Sequence, residues 1–250
     1  TAPQFFFDNG IVGAVHNITR TVHSPQKVDT NPLIQSDRPW EHITYFTCNG
    51  WQVWRDAESG RTNCIYEDWK LDRDKLVTKA RGTIHAWVHA RMRYLYAYSD
   101  NGIDWVKPPM GITEENGHDT NIVFGSEEFG SVHAPTIIED PEENNPQGRF
   151  KALFFHVPPN SKEVGGGLPM TAHSPDGIRW APIEAPPLTA NTPTRLDDGG
   201  ALIADTETGG YLAYTRHPFM SGSPTHVRMP PHGPTGGTPA YDLATDMPQR

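Results

Sequence analysis

The sequence predicts an all-β fold of repeated four-stranded antiparallel units, the architecture of a β-propeller. Three observations carry this expectation. Short β-rich runs alternate with turn residues, and long helical periodicity is hard to find. One turn motif occurs twice, as Ser99-Asp100-Asn101-Gly102-Ile103-Asp104-Trp105 and as Ser174-Pro175-Asp176-Gly177-Ile178-Arg179-Trp180. A pattern of strand, acidic turn and strand occurs three times, at 51–68, 136–156 and 201–216.

The clearest strand runs are Trp51-Gln52-Val53-Trp54, Tyr94-Leu95-Tyr96-Ala97-Tyr98, Arg149 to Phe155, and Tyr211-Leu212-Ala213-Tyr214. Asp68 to Ala80 reads as a charged loop in preference to a short helix. The three acidic turns carry Asp56, Asp140 and Asp205, spaced by 84 and then 65 residues. Each reads as the hairpin between the two inner strands of a blade. The Asn-Gly and Asp-Gly cores of the other motif supply the positive φ of a tight turn. Each copy follows a β run and reads as the turn between two outer strands, its Trp closing the layer between neighbouring sheets.

The two patterns interleave as inner, outer, inner, outer, inner. That makes two blades and part of a third, near 41–109, 133–184 and 199–216, within a partial propeller at 1–216. Residues 217–250 are Pro- and Gly-rich and read as an extended tail or a loop to a next blade. An open arc leaves unpaired sheet edges. A second chain, in a homo-oligomer for example, or residues beyond those read here are expected to complete the ring.

Composition narrows the partners. With 21 Lys and Arg against 30 Asp and Glu, the formal net charge is -9, and no basic stripe is visible, so a nucleic-acid partner is not expected. No apolar run approaches the ~20 residues of a membrane helix, so no membrane partner is expected. Thr1 is not an initiator Met, which fits a mature or trimmed form, with secretion or a periplasmic location favoured over the cytoplasm. If Asp56 to Gly60 is a hairpin turn, Cys64 lies opposite about Val53. A bridge to Cys48 is then not expected, because bridged Cα atoms lie within about 7 Å. The hydrophobic share of 36% is lean, as in sheets with one wet face.

The Ser-x-x-Gly-Ile-x-Trp turns and the Tyr211-Leu212-Ala213-Tyr214-Thr215-Arg216 strand resemble the five-bladed β-propeller glycoside hydrolases of families 32, 43 and 68 and their relatives. So does the opening, Asn31-Pro32-Leu33-Ile34 followed by Asp37-Arg38-Pro39-Trp40-Glu41. The resemblance covers roughly residues 31–216 and implies a five-bladed propeller of which this chain supplies about half. It implies a glycoside hydrolase or transglycosidase acting on an oligosaccharide or polysaccharide. Paired carboxylates at the mouth of the central channel would do the work, one protonating the leaving group and the other attacking or activating water. No cofactor is expected. A structural or central-channel cation such as calcium is compatible with the fold, though no metal-ligand spacing is legible.

Aligning the inner hairpins on their turn aspartates puts Asn49, His133 and Asp198 at equivalent strand starts. Only one is a carboxylate, which departs from the aspartates of families 32 and 43 and keeps a non-catalytic carbohydrate-binding or assembly propeller as the alternative. The acids assigned to catalysis are Asp198, Glu41 beside Trp40, and Asp119 before the run Ile122-Val123-Phe124. The competing readings are an Asx-turn before the strand for Asp197 and Asp198, and a solvated Glu41 next to a core Trp. Trp40, His133, Asn49, Asp197 and Arg216 are the expected substrate-binding residues. Adjacent strand residues face opposite ways, so only one of Asp197 and Asp198 can point into a channel. Asp140-Pro141 lies at the far end of its strand and reads as a turn former, and Asp37 as a turn cap.

Overall fold

The computed structural model describes residues 13–19, 21–45, 51–71, 90–159, 168–183, 197–205 and 210–216. Contacts divide the chain into two units, Thr1–Pro32 and Leu33–Arg250. The described part of the first contains no strand, is exposed, and ends at a cis Asn31–Pro32 peptide bond.

Among its described residues the second unit is all-β, with antiparallel sheets of which none closes on itself. The first sheet contains β1 (Thr44–Tyr45), β2 (Trp51–Arg55), β3 (Thr62–Leu71), β4 (Ala90–Ser99) and β7 (Ile122–Phe124). β1 and β2 pair in succession along one edge of β3, β4 pairs along the other, and β7 pairs with β4. Between β4 and β7 lies a small hairpin of β5 (Glu114–Glu115) and β6 (His118–Asp119). The second sheet is a meander of β8 (Ser131–Glu139), β9 (Phe150–Val157), β10 (Leu168–Ser174) and β11 (Ala181–Pro182). The third is the hairpin of β12 (Asp197–Asp205) and β13 (Gly210–Arg216).

Both repeated patterns become recurring local structures. In the acidic turns, Asp56 Oδ1 accepts from the N–H of Glu58 and of Ser59 at 2.8 and 2.9 Å, and Asp140 Oδ1 accepts from the N–H of Glu142 at 3.1 Å. The Asp140 reading as a turn former therefore holds, and its other oxygen accepts from the Tyr211 hydroxyl of β13. Cys64 pairs with Val53 across β2 and β3, as expected. One expectation is corrected. Asp68 to Leu71 belong to β3 and are not loop, because β4 pairs with this stretch along its whole length; the rest of that segment, 72–80, lies outside the described residues.

The two Ser-x-x-Gly-Ile-x-Trp turns superpose in their bonding. Ser99 Oγ accepts from the N–H of Asn101 and Gly102, and Ser174 Oγ from those of Asp176 and Gly177. Asn101 Oδ1 accepts from the N–H of Ile103 and Asp104, and Asp176 Oδ1 from those of Ile178 and Arg179. Gly102 and Gly177 take φ of +77° and +75°, the left-handed region where a Cβ is costly. After each turn the chain returns antiparallel, through Val106 beside Tyr98 and through β11 beside β10.

The core explains why β3 and β4 carry so few exposed residues. On one face Ile65, Tyr94 and Tyr96 pack against Val132, Ala152 and Phe154 of the second sheet, with Trp180 at the margin stacked on Phe124. On the other face Tyr66, Leu95 and Ala97 lie under Ile34, Trp40 and Trp105. These strands are thus buried on both faces, where the lean composition suggested one wet face. The second cover comes from residues 33–41, which the sequence did not reveal as a layer. Trp180 sits between two sheets as expected, while Trp105 closes the outer face of the first.

Two outcomes follow for the turns. Gly102→Ala meets open space, so its cost is the left-handed backbone alone, about 1 kcal/mol. A Cβ at Gly177 would lie 3.1 Å from the Trp54 ring, so Gly177→Ala is expected to cost more. Urea unfolding of both variants compares them, and equal losses would show that Trp54 yields freely. Burial by itself would raise the Asp176 carboxyl, but the amide N–H groups of Arg179 and Ile178 outweigh it and hold it below the ordinary carboxylate range. A lowered folded value means stabilisation that is present above the unfolded pKa and lost as pH falls through the folded one. Asp176→Asn, which copies Asn101, keeps the acceptor and removes the titration. Its stability should therefore fall less steeply than the parent's below about pH 4.

Candidate functional site

Strands buried on both faces must satisfy every polar group they carry, since an unpaired buried charge costs several kcal/mol. β3 carries Glu67 and Asp68 in succession, both fully buried. Successive strand residues face opposite ways, so each acid organises one face of the first sheet.

On the outer face Asp68 lies opposite Arg93 of β4. Its Oδ2 accepts from Arg93 Nε and Nη2 at 3.2 and 3.0 Å, and its Oδ1 from the His42 N–H at 2.9 Å. Arg93 also donates to Glu115 and to the Trp40 carbonyl. Burial raises the Asp68 carboxyl above its ordinary value, with Arg93 opposing.

Further along this face Glu41 is gripped from several sides. Its Oε2 accepts from the N–H of Asp37 and Arg38, both at 2.9 Å, and its Oε1 from the Tyr66 hydroxyl at 2.6 Å. Lys107 Nζ reaches both oxygens at 2.7 and 2.8 Å, and also donates to the Gln35 carbonyl and Asp37. The Trp40 indole N–H donates to Asn121 Oδ1 at 2.7 Å. The Glu41 side chain has no exposure at all. It is neither solvated nor turned to a channel. With Trp40 it fastens residues 33–41 to the sheet.

The inner face holds the more unusual arrangement. The Glu67 carboxylate, with no exposed surface, faces four donors. Oε1 accepts from the Trp69 indole N–H and faces His133 Nδ1 at 2.7 Å. Oε2 accepts from the Tyr94 hydroxyl at 2.9 Å and from the Ala134 N–H at 3.1 Å. Burial, then the adjoining Glu67, pushes the Tyr94 phenol well above its ordinary pKa, so it stays a donor.

His133 and the Ala134 N–H reach Glu67 because β8 is bulged. His133 pairs with Phe155 and Thr136 with Leu153, so Ala134 and Pro135 together oppose Phe154. Ala134 adopts φ of +47°, a left-handed conformation that costs a non-glycine residue of order 1–3 kcal/mol. Bulges re-aim side chains, and strained residues of this kind gather at functional sites. The His133 side chain is 16% exposed, against none for Glu67. The Trp69 ring stands edge-on to the imidazole at 6.0 Å and is itself partly exposed. A buried acid, an oriented imidazole and an indole thus meet at the seam between two sheets.

Of the residues expected from sequence, the structure brings His133 to this seam. Trp40 and Glu41 belong to the opposite face of the first sheet. Asp119 is exposed in the β5–β6 hairpin, where its Oδ1 accepts from the Gly111 N–H at 2.8 Å. Asp197 and Asp198 open β12, and Arg216, which ends β13, is the register partner of Asp197. Asn49 lies outside the described residues, as does Cys48. Asp37 does more than cap a turn, since Lys107 and Arg38 outweigh the effect of its burial and lower its pKa. Glu67, Trp69, Tyr94 and Lys107 were missed. The available signal was the acid pair inside the otherwise apolar run Cys64-Ile65-Tyr66-Glu67-Asp68-Trp69.

Among the described residues no group of three His, Cys, Asp or Glu side chains could hold a metal ion. Burial pushes the Cys64 thiol up to about 12, so it remains protonated at neutral pH.

The role given to Glu41 has a direct check. Removing one partner of a buried ion pair strands the other, so Glu41→Gln and Lys107→Met should each destabilise the protein by about 3–5 kcal/mol. The double variant should lose less than the sum. Denaturant midpoints measure this, and an unchanged midpoint for Glu41→Gln would contradict the fastening role.

In comparisons with known proteins, no family model matches the chain and no curated protein matches it.

Proposed function

We propose that the three sheets are successive blades of a β-propeller of the five-bladed glycosidase type, and that the protein binds a carbohydrate where Glu67, His133 and Trp69 meet. The observation that carries this reading is the position of β8. This first strand of the second sheet contacts β2 and β4 of the first sheet and β12 of the third, and its bulge turns His133 onto Glu67. Consecutive first strands in contact, each followed by an antiparallel partner, is the arrangement expected around a propeller axis. The twice-repeated Ser-x-x-Gly-Ile-x-Trp turn at the far side of the first two sheets supports the same reading.

The ligand class follows from the groups at the seam. An indole offers an apolar face for sugar C–H groups, an imidazole exchanges hydrogen bonds with hydroxyls, and a buried carboxylate keeps both in place. Few polar groups on an aromatic lining are what fix the orientation of a small ligand.

Glycosidic hydrolysis is the second reading, favoured by Asp197 and Asp198. These acids open β12, the strand that contacts β8. A hydrolase needs two carboxyl groups in different protonation states. Glu41 does not supply one, because Lys107 and Tyr66 already occupy it.

Binding to a broad panel of oligosaccharides and polysaccharides tests both readings. His133→Ala and Trp69→Ala should each weaken binding about tenfold or more, the equivalent of about 1.4 kcal/mol. Asp198→Asn should abolish turnover and spare binding if the protein is a hydrolase. Unchanged affinity in both seam variants would refute the placement of the site.

A further inference from the structure

We propose that Asn17 is an acceptor site for an N-linked glycan. The site lies in the first unit, Thr1–Pro32, and owes nothing to the seam between the sheets. Asn17-Ile18-Thr19 is the one place in the sequence where an Asn is followed two positions later by Ser or Thr with no Pro between. Asn160-Ser161-Lys162 and Asn191-Thr192-Pro193 carry the hydroxyl one position early. The spacing matters because the transferring enzyme reads the amide and the hydroxyl together, and it needs both on an accessible loop.

The structure supplies that loop. Residues 13–19 contain no strand, and every one of them is exposed. Asn17 sits at a bend with φ of +53°, in the left-handed region that Asn tolerates better than most residues. Asn in a turn commonly folds its side chain back onto the nearby backbone. Asn101 does so, accepting from the N–H of Ile103 and Asp104. Among the described residues, neither the Asn17 amide nor the Thr19 hydroxyl has such a partner, so both face solvent. Asn116 is an internal control. It is also exposed and left-handed, with φ of +52°, but Gly117-His118 follow it and it should stay unmodified.

Transfer forms one C–N bond, from Asn17 Nδ2 to the anomeric carbon of an oligosaccharide carried on a lipid pyrophosphate. The anomeric C–O bond breaks, the lipid pyrophosphate leaves with the electron pair, and the amide gives up one proton. The donor is met on a secretory route, so attachment requires entry into that route. The neighbours of Asn17 give the glycan a task. Val15, Ile18 and Val22 are exposed, Ile18 at 73% and Val22 at 84%. A bulky, polar glycan between them shields apolar side chains that otherwise meet water or another molecule.

The test produces the full chain behind a secretory leader in a eukaryotic host and measures its mass before and after treatment with peptide N-glycosidase. The expected product is heavier than the polypeptide by one glycan, and the treatment removes it and leaves an aspartate in place of Asn17. Asn17→Gln and Thr19→Ala should each abolish the addition, and Thr19→Ser should keep it. Thr19→Ala leaves Asn17 in its bend, so loss of the glycan there separates an acceptor from a residue that only shapes the turn. An unmodified Asn17 in the parent overturns the proposal, as does a glycan that survives Thr19→Ala. If the chain is not released to the medium, the membrane fraction of the cells gives the same reading, because attachment precedes release.

Fluorescence of a dye that binds apolar surface reads the shielding. Removal of the glycan should increase dye binding, and Val22→Ser should reduce that increase. Equal dye binding with and without the glycan overturns the shielding and leaves the acceptor site standing.

Discussion

Glu67 and Asp68 occupy consecutive positions of a strand that is covered on both faces, and most of the polar structure around the first sheet answers to them. The pleat sends one carboxylate to each side. Neither can reach water, so each must be surrounded by donors. On the outer side the donors are the Arg93 guanidinium and the His42 amide; on the inner side they are Trp69, His133, Tyr94 and the Ala134 amide. The requirement propagates outward. Arg93, recruited by Asp68, brings in Glu115 and the Trp40 carbonyl, and so ties the β5–β6 hairpin and residues 33–41 to the sheet.

The two faces solve the same problem with different chemistry. The outer face uses full charges, Asp68 with Arg93 and Glu41 with Lys107, backed by main-chain donors. Such pairs resist the removal of either partner, yet they add less net stability than apolar packing of the same volume would. Among the described residues, no permanently charged cation bonds the inner carboxylate. One carboxylate is held by an indole, a phenol, an imidazole and an amide, and the backbone of β8 is distorted to supply two of the four. A fold needs no such distortion to bury an apolar strand. This contrast makes the inner seam the candidate site and the outer cluster a fastening.

Much of the fold was legible in the chain, for local reasons. The Ser-x-x-Gly-Ile-x-Trp turns fold through bonds that span at most three residues, so their geometry follows from Ser, Asn or Asp, and Gly at fixed offsets. The acidic hairpins are local in the same way, and Val53 opposite Cys64 follows from hairpin length alone. The site was less legible. His133 stood out as a polar residue at a strand start, but its partner lies 66 positions away. Glu41 looked like a sugar-site acid because Trp40 precedes it; its true partner, Lys107, lies 66 positions on in sequence.

By itself, then, the sequence determined the all-β character, the positions of the hairpins and the two repeated turns, because each is set by backbone preferences and bonds within a few residues. Only the tertiary structure decided which strands are buried on both faces, which acid is paired with a lysine and which with a histidine, and that β8 bulges at Ala134. Those outcomes depend on which faces come together across dozens of residues. The desolvation of a carboxylate, and hence its role, is a property of that meeting and not of the residue.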